Sequence, residues 1–451
     1  MTRCRTRPRP SRQHPKPRSA PVAGLARRFR FCLLATLALA GFGCREAPGA
    51  AATGSDALPE QEAAAKRSPP ELAGFYRDLA RLEAHQIDHV HILQLGDSHT
   101  AGDFFSGRLR TNFRQRFGDA GRGLMPPGLA FDGLRQAEVK VSQAGRWQID
   151  NSLRTPEAGP YGITGFTARS LAPNARMAVA PVEGGIDTAM VDYLLHPHGG
   201  AFDIVLDGRI VTHVTTNAAV VKPTRIALNA PPGTGELEIL ARDPDIRITG
   251  WSVERKERGV LYESQGVVSA TVGLVQKWDA EIVRHDLDML KPSLIVLAYG
   301  TNEGFSAEFD EAGYAAGFAA VLSELKRGAP QASILIIAPP DGQRVDPDCP
   351  KRKTDTMLCS WFTPPALAQV RAIQRNAAIA NGTAYWDWST MMAGPGGIDR
   401  WVRHDPPLAR QDHVHFTIEG YELAADALFG RIMDGYALYQ SETAKRPARR
   451  Q

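Results

Sequence analysis

Cysteine is scarce in this chain: five in 451 residues, of which Cys4, Cys32 and Cys44 all precede residue 45. Cys349 and Cys359 are the only pair in the body, ten positions apart in a polar stretch. In an oxidising compartment they are expected to join as a disulfide, and no Cys or His cluster stands near them to favour a metal site. Long apolar runs are missing as well. The longest near the start, Phe31–Phe42, has twelve residues, short of the roughly 20 that span a bilayer. No internal repeat or coiled-coil pattern appears. Basic residues interleaved with aromatics are absent too, so the formal charge of +4 does not point to nucleic acid. Fourteen positive charges sit in residues 1–30 and in Lys445, Arg446, Arg449 and Arg450; without them 39 basic residues face 49 acidic ones.

What is present begins with a leader. Arg27-Arg28-Phe29-Arg30 precedes Phe31–Phe42, which runs into Gly43-Cys44. This is the order of an export signal: positive residues, then an apolar core. Cys44 is a lipidation candidate, although Gly41 stands where a lipobox usually has Leu. Release into the periplasm and anchoring through a lipid on Cys44 both stay open, and the Arg pair leaves twin-arginine export open too. A signal of ordinary length would start near Val22. Residues 1–44 are therefore read as leader and 45–84 as a flexible linker with a lead-in helix. The basic tail is 441–451.

The body changes character along its length. Ser293–Tyr299 (SLIVLAY) and Ser333–Ala338 (SILIIA) are continuous apolar runs, as in strands of a parallel sheet buried on both faces. Helical patterns follow at Ala312–Lys326, Pro364–Asn381 (closed by Gly382) and Ile418–Tyr439, with a short strand at Ala384–Asp387. With His91–Leu95 in front, the pattern predicts a three-layer α/β/α sandwich around a parallel sheet. Between about Met125 and Arg255 short strands follow one another without helices: Ala178–Pro181, Met190–Leu195, Phe202–Leu206, Ile210–Thr215, Arg225–Leu228, Glu236–Ala241 and Ile246–Val253. Asp207-Gly208 predicts a two-residue hairpin. The sheet resumes at Gly259–Tyr262, so an all-β sandwich at 125–255 is expected inside an α/β domain split into 85–124 and 256–440.

Four short blocks carry the chemistry. Leu95-Gly96-Asp97-Ser98-His99 follows the first apolar strand, presenting Ser98 as nucleophile. Asp412-His413-Val414-His415 supplies a base, His415, and a carboxylate three positions earlier to orient it. Gly300-Thr301-Asn302-Glu303 follows the SLIVLAY strand. Gly266 lies within Gly259–Gly273 (GVLYESQGVVSATVG). Other histidines are weaker: His99 is read as packing or rim, His413 as pointing elsewhere, and His404-Asp405 as a rival pair without a surrounding motif. His196-Pro197-His198 reads as a loop, and Trp386 and Trp388 as sheet packing.

In order and content these blocks resemble the SGNH (GDSL) hydrolases, over about residues 85–440. The resemblance implies a flavodoxin-like sheet, a Ser98–His415–Asp412 triad, and an oxyanion hole made by the Ser98 and Gly266 N–H groups with the Asn302 amide. It calls for no cofactor and no metal. One departure is Val268, where relatives often have Asn two residues after the glycine; Gly162 and Gly165 are rivals to Gly266 for that reason. Within the family, Gly-Asp-Ser-His, the stretch Arg116–Gly123 (RFGDAGRG) and an inserted carbohydrate-binding-like sandwich resemble the periplasmic peptidoglycan O-acetylesterases. That resemblance implies removal of acetyl from the C6 hydroxyl of N-acetylmuramic acid, with the polysaccharide as partner. An esterase or acetyltransferase on another exported glycan would use the same residues; a lipase or thioesterase fits the insert less well. A wall-binding protein with a dead hydrolase domain is the non-catalytic alternative.

Overall fold

The computed structural model describes residues 68–131, 134–346 and 360–445. Cys44, Cys349 and Cys359, and with them the expected lipidation and disulfide, lie outside the described residues. The centre of the fold is a five-stranded parallel sheet built from β1 (His89–Gly96), β2 (Gly259–Gly266), β3 (Leu294–Ala298), β4 (Ser333–Ala338) and β5 (Ala384–Asp387), ordered β2-β1-β3-β4-β5. Sheets of this order gather their ligand site outside the carboxyl ends of the strands, where the order reverses next to β1.

The strand sequences explain the layers. In β3, Leu294, Val296 and Ala298 join one apolar core, while Ile295 and Leu297 join another on the opposite face. Successive strand side chains point to opposite faces, so a sheet covered on both sides needs apolar residues at every position. The first face is covered by α1 (Ala73–Glu83), α2 (Phe105–Phe117) and the long α6 (Ile418–Ala444); the second by α3 (Ala280–Leu290), α4 (Glu311–Gly328) and the end of α5 (Ala366–Asn381). Side-chain caps open several helices: Asp279 accepts from the Glu281 and Ile282 amides, Asp310 from Gly313, and Thr417 from Gly420. Helix α3 had no counterpart in the sequence reading, although Ile282, Asp286, Leu287 and Leu290 form its buried face. Among the described residues no helix is long and apolar enough to cross a membrane.

The β-rich stretch forms two facing antiparallel sheets. One orders Lys222–Asn229, Thr188–Leu195, Arg247–Glu254, Phe166–Ser170 and Trp147–Asn151, with Gly121–Met125 also paired to Arg247–Glu254. The other orders Val139–Ala144, Arg176–Pro181, Leu237–Ala241, Ala201–Leu206 and Arg209–Thr215. Their shared core includes Val191, Ile248, Trp251 and Val253 against Met177, Val179, Phe202, Ile204 and Ile239. Asp207 and Gly208 both adopt positive φ (46° and 75°) between paired strands, the conformation a two-residue hairpin turn demands. Four strands escaped the sequence reading. Val139–Ala144 is an edge strand alternating half-buried and exposed positions, Trp147–Asn151 is polar, Phe166–Ser170 is short, and Gly121–Met125 carries two glycines. That last strand pairs with Arg247–Glu254 just before the expected start of the sandwich at 125.

A buried charge cluster ties the two parts together. Asp103, fully buried, accepts from Arg110 Nη2 (2.8 Å) on α2, from Arg122 Nη2 (3.2 Å) on the Gly121–Met125 strand, and from the Ala137 amide (3.1 Å). Arg110 also donates to Tyr262 O, Ser264 Oγ and Glu138. Burial works to raise the Asp103 carboxyl, but Arg110 and Arg122 hold it well below the usual carboxylate range. Burial first, and then the neighbouring Arg110, push Arg122 down to about 10. Removing one member of such a group leaves an uncompensated buried charge. Arg110→Met should therefore cost about 3–5 kcal/mol, read as a lower denaturation midpoint with an unchanged slope.

Candidate active site

Strand β1 ends at Gly96, and the chain turns into the short helix Ser98–Ala101 with Asp97 as its cap. The Asp97 side chain accepts from the His99 amide (2.9 Å). Ser98 is the first helical residue, so its N–H has no partner within the helix and remains available. Gly266 ends β2 in register with Gly96, and the Val267 amide donates to Gly96 O (3.0 Å). A Cβ on Gly266 would overlap the backbone of Ala101 and Thr100, so the nucleophile turn sits against β2 only because this residue is glycine. The rival glycines are engaged elsewhere: Gly162 packs on Asp286 and Ile282, and the Gly165 amide donates to Gly162 O.

The base arrives from the other end of the chain. Ser98 Oγ lies 3.0 Å from His415 Nε2, and His415 Nδ1 lies 2.8 Å from Asp412 Oδ2. Asp412 Oδ1 accepts from the amides of Val414 and His415, each at 2.9 Å. Burial works to raise the Asp412 carboxyl, but the bonds from His415 and the two amides hold it well below the usual carboxylate range. An ionised Asp412 accepts from Nδ1–H, which leaves Nε2 free to accept the Ser98 proton. The loop is closed by the Arg410 amide on His415 O and by the Ala409–Phe416 bridge.

Asn302 sits in the short helix Thr301–Gly304 after β3, and β3 runs beside β1 with Ala298 opposite Gly96. Its Nδ2 donates to Ala270 O (2.8 Å), which fixes the amide and, among the described residues, leaves its second N–H unused. Ser98, His415, Asp412, Gly266 and Asn302 thus all lie at the carboxyl end of the parallel sheet.

The remaining histidines do other things. His99 is buried, bonded to Tyr421 Oη (2.9 Å), and burial, followed by the nearby His415 charge, pushes it down to about 3. His413, at φ 55°, turns away from His415 and stacks on Trp361 at 3.7 Å. His404 is exposed and bonds Pro406 O in its own loop. His196 bonds the carbonyls of Pro197 and Asp245 in the sandwich. Trp388 is buried and stacks on Phe105 at 4.5 Å. Among the described residues no group of three His, Cys, Asp or Glu side chains could hold a metal ion.

Two acids were missed, though both stand inside the motifs. Asp97 and Glu303 were read only as neighbours of Ser98 and Asn302, yet both are buried with one carboxyl oxygen unpartnered among the described residues. Glu303 Oε1 accepts the Val272 amide (2.7 Å), holding the segment whose Ala270 carbonyl orients Asn302. Burial raises both carboxyls, with Asp97 pushed up to about 7 and Glu303's charge adding to that rise.

Residues 241–423 match the model of the GDSL-like Lipase/Acylhydrolase family, a span that holds Gly266, Asn302, Asp412 and His415 but not Ser98. Among solved structures, one described as a peptidoglycan O-acetylesterase in action is 25% identical, covering 84% of this chain and 97% of its own, with a TM-score of 0.67. A family two carbohydrate esterase from Clostridium thermocellum in complex with cellohexaose is 11% identical over 66% of this chain and 100% of its own, at a TM-score of 0.28. A salicylyl-acyltransferase from a tetracycline biosynthetic pathway is 12% identical over 69% and 97%, at 0.29. No curated protein matches the sequence.

Ser98→Ala and His415→Ala should each abolish nearly all turnover of 4-nitrophenyl acetate without loss of folded structure. Asp412→Asn should leave more activity, because a partly oriented imidazole still works. His404→Ala is the control and should change little; a Ser98→Ala variant that keeps a tenth of the activity would exclude that nucleophile. Asp97 gives a separate pH test. A buried acid whose folded value is raised adds stability below its ordinary value near 4, and that stability is lost as pH rises to about 7. Asp97→Asn keeps the acceptor for the His99 amide, so its thermal midpoint should exceed wild type at pH 8, the difference fading toward pH 4.

Proposed function

From the premise that this chain carries a GDSL-like lipase/acylhydrolase domain and is an ester hydrolase, we propose that it removes O-acetyl groups from cell-envelope peptidoglycan, at the C6 hydroxyl of N-acetylmuramic acid. The observation that carries the chemistry is the continuous hydrogen-bond relay Ser98–His415–Asp412 at the mouth of the sheet. The substrate reading draws on the likeness to the peptidoglycan O-acetylesterase structure, which spans the sandwich as well as the hydrolase part.

In this reading Ser98 Oγ attacks the acetyl carbonyl carbon while His415 Nε2 takes its proton. The new oxyanion is met by the Ser98 N–H group and by Asn302 Nδ2; a donor of this kind contributes roughly 3–4 kcal/mol in the transition state. The Gly266 N–H, on the edge of β2 away from β1, does not reach it. Collapse breaks the bond to the sugar oxygen, which leaves with the proton from His415. Water then attacks acetyl-Ser98, His415 again takes the proton, and acetate departs as the serine is restored. Asp412 stays ionised throughout and stabilises the imidazolium. The proposed setting is the periplasm, from the leader at 1–44, with membrane attachment only through a lipid on Cys44.

Acetate release should be measured on O-acetylated peptidoglycan, acetylated xylan and a long-chain aryl ester. Peptidoglycan should be turned over with the highest kcat/KM, and recovery of the acetyl group as free acetate rather than on a sugar acceptor marks hydrolysis. A preference for xylan or for the long chain would replace the substrate reading. Asn302→Ala should lower kcat by roughly a hundred- to a thousandfold with little change in KM.

A further inference from the structure

His413 takes no part in the relay, yet it stands between two residues that do and is held by contacts of its own. Its φ of 55° lies in the left-handed region, which a residue with a Cβ keeps only where neighbouring contacts offset the strain. The turn it makes brings the Val414 and His415 amides to Asp412 Oδ1, each at 2.9 Å. The backbone of His413 therefore sets where Asp412 and His415 stand relative to each other.

The contacts that hold it come from one hairpin. After β4 the chain passes through Gln343 into Arg344–Val345, which pairs antiparallel with Trp361–Phe362. Asp341 anchors this piece by accepting from the Ile398 amide (3.2 Å) and Thr363 Oγ1 (3.5 Å). The Gln343 amide donates to His413 O (2.9 Å), and Gln343 Oε1 lies 3.1 Å from His413 Nδ1. An amide oxygen only accepts, so the imidazole carries its proton on Nδ1 and donates. Trp361, opposite Val345, lays its ring on the imidazole with centroids 3.7 Å apart and planes within 7° of parallel. Two hydrogen bonds and a ring contact thus fix both the backbone and the side chain of His413, which is buried there.

The relay needs such support. His415 and Asp412 stand on an open rim, where no surrounding core holds them, and a shift of about 1 Å at a reacting group costs up to about a hundredfold in rate. Among the described residues neither Gln343 nor Trp361 is hydrogen-bonded to Ser98, His415 or Asp412, so what they do for the relay passes through His413.

We propose that Trp361 and Gln343 are positioning residues: by clamping His413 they hold Asp412 and His415 in line with Ser98. This rests on the serine mechanism above and not on which acetylated polymer is the substrate.

The test measures kcat and KM on 4-nitrophenyl acetate, with the thermal midpoint of each variant alongside. Trp361→Ala should lower kcat about tenfold with KM within about twofold of wild type, since the clamp touches no substrate atom. Trp361→Phe keeps a ring over the imidazole and should recover most of the loss. His413→Asn keeps a residue that tolerates positive φ but removes the stack, so it should match Trp361→Ala. Added to Asp412→Asn, Trp361→Ala should cost less than about twofold more, because the imidazole has already lost its orientation; added to Asn302→Ala, it should cost its full amount. Unchanged kcat in Trp361→Ala and His413→Asn, a loss confined to KM, or an undiminished loss in the Asp412→Asn background each overturn the positioning role. If Trp361→Ala does not fold, His413→Asn, alone and with Asp412→Asn, decides in the same way. A Ser98→Ala variant that retains turnover removes the serine mechanism and the clamp with it. A dead Ser98→Ala beside a fully active His413→Asn strikes the clamp alone.

Discussion

The close approach of the nucleophile turn to the sheet is the constraint on which the rest of the site depends. Gly96 and Gly266 lie side by side at the ends of β1 and β2. A Cβ on Gly96 would run into Thr100 and Ala298 O, and one on Gly266 into the backbone of Thr100 and Ala101. With both side chains absent, the helix Ser98–Ala101 folds down onto the strand ends instead of standing off them. Asp97 fixes that fold by capping the helix through the His99 amide. His99 is buried as a consequence, among Trp388, Phe416 and Tyr421, so its ring supports the turn and stays neutral beside His415. One residue earlier in the helix, Ser98 remains open to the base.

The sandwich is joined to this turn rather than hung beside it. Asp103, five residues after Ser98, is satisfied by Arg110 from the hydrolase side and by Arg122 and the Ala137 amide from the strand and segment leading into the sandwich. The Arg135 amide bonds Ala101 O, and its guanidinium lies 4.5 Å over the Phe104 ring. Replacing the sandwich with a linker would remove Arg122 and these backbone bonds if cut at Gly121, leaving the buried Asp103 carboxylate with Ser106, Arg110 and Ser264 but without two of its five hydrogen-bonding residues. The sandwich therefore helps to hold the nucleophile turn, and a deletion would report on folding before it reported on substrate binding.

The sequence displayed the hydrolase part well because its signals are local. Ser293–Tyr299 and Ser333–Ala338 are apolar at every position because both faces of the sheet are covered, and no surface strand looks like that. Ser98, Asn302 and the Asp412/His415 pair each sit in a short block at a strand or loop end. Their meeting, across 317 residues for Ser98 and His415, was legible only through the order of the blocks. The sandwich was harder to read. Val139–Ala144 lies at a sheet edge with half of its residues exposed, and Gly121–Met125 reads as a glycine-rich loop until Arg247–Glu254 is brought beside it. Nothing local marks Asp103 or Glu303. Both are defined by burial, which comes from chain that arrives from far away.

The geometry of the relay bears on what kind of substrate it suits. His415 and Asp412 keep about a third and nearly a half of their side-chain surface exposed. Such an open rim can admit an acetyl group projecting from a large polymer, whereas an enclosed cleft would exclude the chain that carries it. Openness has a cost, because water near the carboxylate screens its charge and weakens its hold on the imidazolium. The structure offsets that by giving Asp412 two backbone amides as well as His415, so the carboxylate is fixed by geometry where it is not fixed by burial. An acetyl group itself offers few atoms to bind, which bounds the affinity it can supply. Affinity for any larger substrate must then come from groups beyond the triad. At the carboxyl end of β2 the neighbouring surface is supplied by the sandwich, through Phe131, Asn151 and Arg154 beside Val267 and Val268.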